Sequence, residues 1–275
     1  MNAVQVDTLR QATSASAERF GADVIAGLRE WSLWTMLGWN DIRQRYRRSV
    51  LGPFWITLSV GVFIFALGII YSRIFKTEIA TYLPYLSLGY ILWSFISQTV
   101  NESCQTYAES ERILKQIRLP YSMYVFRVVW RNFLVFLHTI GLYIPIALIF
   151  GIKPGFDAFI AVLGFAVLYV NLLWVSLVIS ILCARFRDVV QIISTLLQIM
   201  LFATPIMYPA SALGSAQIIA DINPLYHILD IVRAPLLGSS PALLSWVVSL
   251  SLAVIGSVAA MLLLRRAGRR IVFWL

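Results

Sequence analysis

Residues 41–59 read DIRQRYRRSVLGPFWITLS: four arginines (Arg43, Arg45, Arg47, Arg48), then no charge until Arg73, with Gly52 and Pro53 at the join. Positive charge crowded directly before an apolar run of about 20 residues suits a chain that lies on an anionic leaflet and then crosses the bilayer. Proline suits the first turn of a helix and disfavours helix before it, so the Gly–Pro pair supplies the bend between the two. A plain orientation signal also fits the arginines, since it needs charge alone.

The same reading extends to the whole chain. Its 275 residues are 60% hydrophobic and 13% charged, with a mean hydropathy of +0.80, well beyond the needs of a soluble core. Charges divide it into six windows long enough to span: Val50–Ser72, Ile79–Asn101, Asn132–Ile152, Ala158–Ala184, Val189–Ala220 and Ala234–Leu264. The last two exceed one span and must hold something more. With the N-terminus cytoplasmic, only Arg73, Lys76, Lys153 and Arg233 of the 22 Lys and Arg residues fall on the far side. The positive-inside rule therefore predicts an all-α integral membrane protein of six spans, both termini cytoplasmic, with a basic tail over 265–275. Charge split among separate loops disfavours a nucleic-acid partner. Met1–Asn40 lacks the apolar core of a signal peptide. Cys104 and Cys183 fall near cytoplasmic span ends and read as reduced, inert thiols. There is no internal repeat.

Residues 1–27 are polar and are expected to be loosely ordered. From Leu28, the residues Trp31, Trp34, Gly38, Ile42 and Tyr46 follow at helical spacing, predicting an amphipathic helix over 28–48 on the inner leaflet. Between spans two and three, residues 107–120 (YAESERILKQIRLP) place Glu109 and Glu111 early, Lys115 and Arg118 late, and Ile113, Leu114 and Ile117 on a small apolar face. That pattern fits a short docking helix and equally a solvated connector. After the fifth window, Pro205 and Pro209 break the helix before DINPLYHILDIVRAPLLGSSP (221–241). Asn223 suits an N-cap and Pro224 the first helical position. Leu225, Ile228, Leu229 and Val232 make one face, His227, Asp230 and Arg233 another, and Pro235 bounds the helix. Too short to cross, it should dip into or lie on the outer leaflet, tolerated at depth only against protein or water.

No GxxxxGK[ST] loop, strand-borne GxGxxG, metal constellation or nucleophile set occurs, so neither nucleotide binding nor catalysis is read here. The two histidines, His138 and His227, are far apart. No carboxylate falls mid-window, as a proton- or sodium-coupled carrier would require. Uncharged polarity recurs instead: Tyr90, Ser94, Ser97, Asn101 and Gln105 form one stripe, and Gln191, Ser194, Gln198, Phe202 and Pro205 another. Such stripes either bond across helix interfaces or line a wet path. Phe54, Trp55, Tyr85, Tyr90, Trp93, Phe202, Tyr208 and Tyr226 suit an interfacial belt, and equally a wall on which sugar rings stack.

The stretches RYRRSVLGPFW (45–55), ILKQIRLP (113–120), RFRDVVQIISTLLQIMLFATPIMYP (185–209) and NPLYHILDIVRAPLLG (223–238) together resemble the membrane subunit of bacterial ABC exporters for polysaccharides. The match is nearest to Wzm-like permeases of O-antigen export, with capsule and teichoic-acid permeases as relatives. The resemblance implies a homodimer in the bacterial inner membrane, forming a channel above two separate ATPase subunits. ATP and Mg would sit in those partners, and this chain would hold no cofactor. It further implies an interface helix ending at Arg48, a coupling helix over 107–120 (Glu109, Glu111, Ile113, Leu114, Ile117) and periplasmic gate helices over 210–238 (Asn223, Pro224, Tyr226, Asp230, Arg233). A channel lined by the first and fifth spans is implied too, and the candidate wall is Phe54, Trp55, Tyr90, Trp93, Ser97, Asn101, Gln198, Phe202 and Tyr208. The implied substrate is an undecaprenyl-diphosphate-linked glycan, its diphosphate attracted by Arg43, Arg47, Arg48 and Arg118. A small-lipid or drug exporter of the same architecture, a secondary transporter and a membrane-embedded glycan enzyme are the competing classes.

Overall fold

The computed structural model describes residues 22–47, 52, 54–152, 155, 157–210, 214 and 217–275, and among them only helices, turns and loops occur. Residues 22–29 are helical, and then follow α1 (Trp31–Arg45), α2 (Phe54–Ile74), α3 (Ile79–Ser103), α4 (Thr106–Glu109), α5 (Glu111–Gln116), α6 (Tyr121–Ile140) and α7 (Tyr143–Ile149). The chain continues with α8 (Asp157–Arg185), α9 (Val189–Ala203), α10 (Ile218–Ile222), α11 (Pro224–Leu236) and α12 (Leu243–Trp274). Five stretches are long and apolar enough to cross a bilayer: α2, α3, α6 with α7, Ala158–Arg185 and Leu243–Gly268. At 15 residues α9 is shorter, about 22 Å at 1.5 Å per residue against a hydrocarbon layer of about 30 Å.

The central helix is α3. It is covered on most sides by the main core, with Leu83, Leu86, Ile91, Leu92 and Phe95 among its buried residues. Beyond its first turn, only a strip holding Tyr85, Tyr90, Ser94, Ser97, Gln98, Asn101 and Glu102 is left less than fully covered. Glycines permit the closest helix approaches. A Cβ at Gly164 of α8 would overlap the Ile231 carbonyl of α11, and one at Gly256 of α12 would overlap the Trp174 ring. A second core at one end of the bundle joins Tyr107 and Leu114 to Tyr124 and Val125 of α6, Ile181 of α8, and Leu264 and Ile271 of α12.

Several boundaries differ from the sequence reading. The third span begins at Tyr121, eleven residues before Asn132, so Arg127 and Arg131 lie inside a helix rather than in a loop. They are tolerated there because carboxylates meet both, as described below. Span α12 begins at Leu243, while Ala234 belongs to α11, and the tail to Trp274 continues the same helix because Leu264, Ala267 and Ile271 have a core to enter. Residues 22–27, expected to be loose, are helical. The connector 107–120 is two short helices that turn at Ser110, with Ile117 extended. Helix α11 runs through Pro235 to Leu236, where the ring sits near the C-terminus and costs little.

Candidate functional site

The stripe read from Leu28 along α1 divides into an exposed part, Leu28 and Trp31, and a packed part. Gly38 and Ile42, on the face read as lipid-directed, are buried, and Trp34 packs edge-on against Phe126 and Trp130 of α6. A Cβ at Gly38 would stand 2.9 Å from the Trp130 ring and 3.3 Å from the Arg127 carbonyl, so glycine is what lets α1 seat on α6. The face left outside carries Leu28, Trp31, Met36 and Trp39, with Arg43 and Arg47 exposed nearby. Arg48 lies outside the described residues. Gly52 adopts a positive φ of 55° at the bend, a conformation glycine takes without steric penalty; Pro53 also lies outside the described residues.

Charge gathers where α1, α3 and α6 meet. Asp41 accepts from Arg127 Nε at 2.7 Å and from Arg131 Nη1 at 3.0 Å. Glu102, in the last turn of α3, accepts from Arg131 Nη2 at 2.7 Å, Arg45 Nη2 at 2.9 Å and Asn132 Nδ2 at 2.7 Å. The result is a ladder Arg45–Glu102–Arg131–Asp41–Arg127 spanning three elements. Sequence inspection missed it because its paired members are 29 to 90 positions apart; the spacing of Arg127 and Arg131 by one helical turn was the available signal. Beside the ladder, a cavity of about 370 Å³ is lined by Ser94, Ser97, Gln98, Asn101, Glu102 and Asn132, together with apolar side chains of α2 and α3.

The remaining candidate wall residues separate into three groups. Phe54 (65% exposed), Trp55 (56%) and Phe202 (63%) are exposed on α2 and α9, as is Gln198. Tyr90 is half-buried and stacks on Phe63 at 4.5 Å, and Tyr208, also half-buried, donates from its hydroxyl to the Phe202 carbonyl at 2.9 Å. Trp93 is only 4% exposed and sits in the main core, so it cannot belong to a surface wall.

In the connector, Leu114 is buried in the second core while Ile113 (40% exposed) and Ile117 (54%) face out, as do Glu109 and Arg118. The single apolar face therefore splits into an anchor and an outward pair. The Lys115 ammonium pairs with Glu111 across one turn and holds its carboxyl below the usual carboxylate range. Cys104 and Cys183 are buried free thiols that line a common cavity.

At the other end, Asn223 Oδ1 accepts from the Leu225 N–H at 3.0 Å and Pro224 takes the first helical position, as their types predict. Asn223 Nδ2 also donates to Thr204 Oγ1 at 2.9 Å. Arg233, 3% exposed, lies over the Tyr85 ring at 4.2 Å and donates to the Pro205 carbonyl at 2.7 Å. Asp230 accepts from Ser245 Oγ of α12 at 2.8 Å; His227 contacts the same hydroxyl and the Asp221 carbonyl. Tyr226 is half-buried against the His227 ring. His138 is exposed, bonds to the Leu134 carbonyl and touches Phe54.

Residues 32–237 match the family described as ABC-2 type transporter. The chain belongs to that family. Among curated relatives, an "O-antigen export system permease protein RfbA" of Myxococcus xanthus is 21% identical over 198 residues, covering 71% of this chain and 76% of the relative. A protein of the same name from Klebsiella pneumoniae is 24% identical over 188 residues, 68% of this chain and 73% of its own length. This ABC-2 family member is thus a multi-pass protein of the bacterial inner membrane and a transport subunit.

Proposed function

We propose that two copies of this chain form the channel of an ATP-driven exporter that moves an undecaprenyl-diphosphate-linked polysaccharide, of the O-antigen class, across the inner membrane. The observation that carries the reading is the state of α2 and α9 within one chain. Helix α9 has no buried residue, and the buried residues of α2 are Gly61, Ile64, Gly68 and Ser72. A second copy would cover part of these faces and leave Phe54, Trp55, Gln198 and Phe202 along a shared path. The names of the relatives support the glycan as cargo. Ile113 and Ile117 would dock on a separate ATPase subunit that binds ATP and Mg, with α11 and its neighbours acting as a gate at the periplasmic mouth. Arg43, Arg47, Arg48 and Arg118 would draw the lipid diphosphate to the cytoplasmic entrance by charge. The wall's aromatic and amide groups are suited to weak, repeated contacts, which let a polymer pass where one tight site would hold it.

The test is reconstitution in nanodiscs and proteoliposomes with the candidate ATPase. ATPase activity stimulated by this chain, together with ATP-dependent appearance of lipid-linked glycan in the opposite leaflet, supports the proposal. Export without an ATPase, or an ATPase complex that moves only small lipids, refutes it.

A further inference from the structure

The first turn of any α-helix leaves backbone N–H groups without an intrahelical partner, and a Ser, Thr, Asp or Asn at the N-cap ordinarily accepts from them. Helix α6 has no such residue: its N-cap is Pro120, which makes no side-chain capping bond. The acceptor comes instead from nearly a hundred residues away. Asp23, on the helical stretch 22–29 that precedes α1, accepts from the Tyr121 N–H with Oδ2 at 3.0 Å and from the Ser122 N–H with Oδ1 at 3.0 Å. Ser122 Oγ completes the clamp by donating to the Asp23 carbonyl at 2.9 Å. Gly27 makes the approach possible, since a Cβ there would overlap Ser122 Oγ and stand 3.2 Å from the Met123 nitrogen.

The location of this clamp gives it a role. Pro120 ends the connector whose outward face is Ile113 and Ile117, and Tyr121 begins α6. The clamp therefore sits at the joint where a push on the connector would enter α6. Further along, the Asp41 and Arg45 pairs fix α1 to α6 and α3. The two attachments hold the stretch 22–45 alongside α6 at both ends.

We propose that Asp23 is a positioning residue for coupling: its carboxylate caps α6 from a distant segment and ties the connector's end to the interface helix, so that connector, α1 and α6 move as one lever. This rests on the exporter reading for what drives the lever, and the clamp itself is independent of that reading. Loss of a cap shifts a local docking equilibrium by about five- to tenfold.

The experiment uses the full chain assembled with its ATPase, comparing Asp23→Ala, Asp23→Asn and the double variant Asp23→Ala with Pro120→Asp. Pro120→Asp supplies a local N-cap without restoring the tether. Hydrogen exchange of the peptide covering residues 119–126 reports the cap, and ATP hydrolysed per glycan exported reports coupling. Asp23→Ala should speed exchange and raise ATP consumed per glycan about fivefold, and Asp23→Asn, which keeps one acceptor oxygen, should fall between. The double variant should regain slow exchange while staying uncoupled. Recovery of coupling in the double variant, or unchanged coupling in Asp23→Ala, overturns the positioning role. Should Asp23→Ala fail to assemble, Asp23→Asn alone decides, with wild-type coupling overturning the proposal. A wild-type complex with no stimulated ATPase would sink the exporter reading, and the lever with it, while leaving the exchange result as a statement about the cap alone.

Discussion

Replacing Glu102 by Gln keeps its shape and its acceptor for Asn132 but removes the charge that meets Arg45 and Arg131. Removing one partner of a buried pair costs about 3–5 kcal/mol, mostly from the charge left behind. Two facts reduce that here. The Glu102 and Arg131 side chains retain 19% and 10% exposure, and Arg131 keeps Asp41 at 3.0 Å. A cost of about 2–3 kcal/mol follows, which at roughly 2–4 °C per kcal/mol lowers the unfolding midpoint by about 4–12 °C. Fluorescence-detected thermal unfolding of the detergent-held protein measures it. Arg131→Met should cost a similar amount by leaving Glu102 with Arg45 and Asp41 with Arg127 alone. The double variant should be less destabilised than the sum by about 1–3 kcal/mol, the coupling expected of residues in one network. Singles within about 0.5 kcal/mol of wild type, or strict additivity, would refute the ladder as a stabilising network.

Leu114→Asp puts a charge into the second core and should lower folded yield in size-exclusion profiles, whereas Ile113→Asp and Ile117→Asp, at exposed positions, should leave the profile unchanged and weaken co-purification with the ATPase. Gly164→Ala must separate α8 from α11, and overpacking of this kind costs about 1–3 kcal/mol, readable as a lowered unfolding midpoint. Arg233→Met removes one of two donors to the Pro205 carbonyl, the Tyr85 hydroxyl remaining at 2.9 Å, so the cost should be that of one hydrogen bond to a charged group, about 1.5–3 kcal/mol, and Arg233→Gln should recover part of it if the hydrogen bond dominates over stacking on Tyr85.

Much of this architecture is legible from composition and spacing, because a bilayer imposes a minimum length on apolar runs and a price on charge. The Asn223–Pro224 start of α11 follows from local chemistry alone, and the strip of α3 left uncovered coincides with Tyr90, Ser94, Ser97 and Asn101. What was not legible depends on partners distant in sequence. A window scan stops at Arg131 because it charges the full cost of a guanidinium, without knowing that Asp41 and Glu102 lie beside it. Periodicity shows that Trp34, Gly38 and Ile42 share a face, yet lipid and α6 reward the same pattern. Trp93 and Tyr90 lie within one turn, and only packing tells that one enters the core and the other meets Phe63. The Asp23 cap left only a negative trace, the missing capping residue at Pro120.

The polar attachments of the Thr204–Leu236 region to the rest of the bundle are of one kind. Tyr82 reaches the Met207 carbonyl, Tyr85 the Pro205 carbonyl, Asp230 the Ser245 hydroxyl and Tyr143 the Leu236 carbonyl. Each bond has at least one side-chain end, and the helical ladder of α11 is complete within itself. Detaching this region would also pull Ile206, Leu229 and Ile231 out of the main core and part α11 from α8 at Gly164, a collective motion on the microsecond-to-millisecond scale that needs no helical turn unwound. The region is thus a preformed unit with its helix complete, seated in the bundle by packing and by side-chain bonds at its edges.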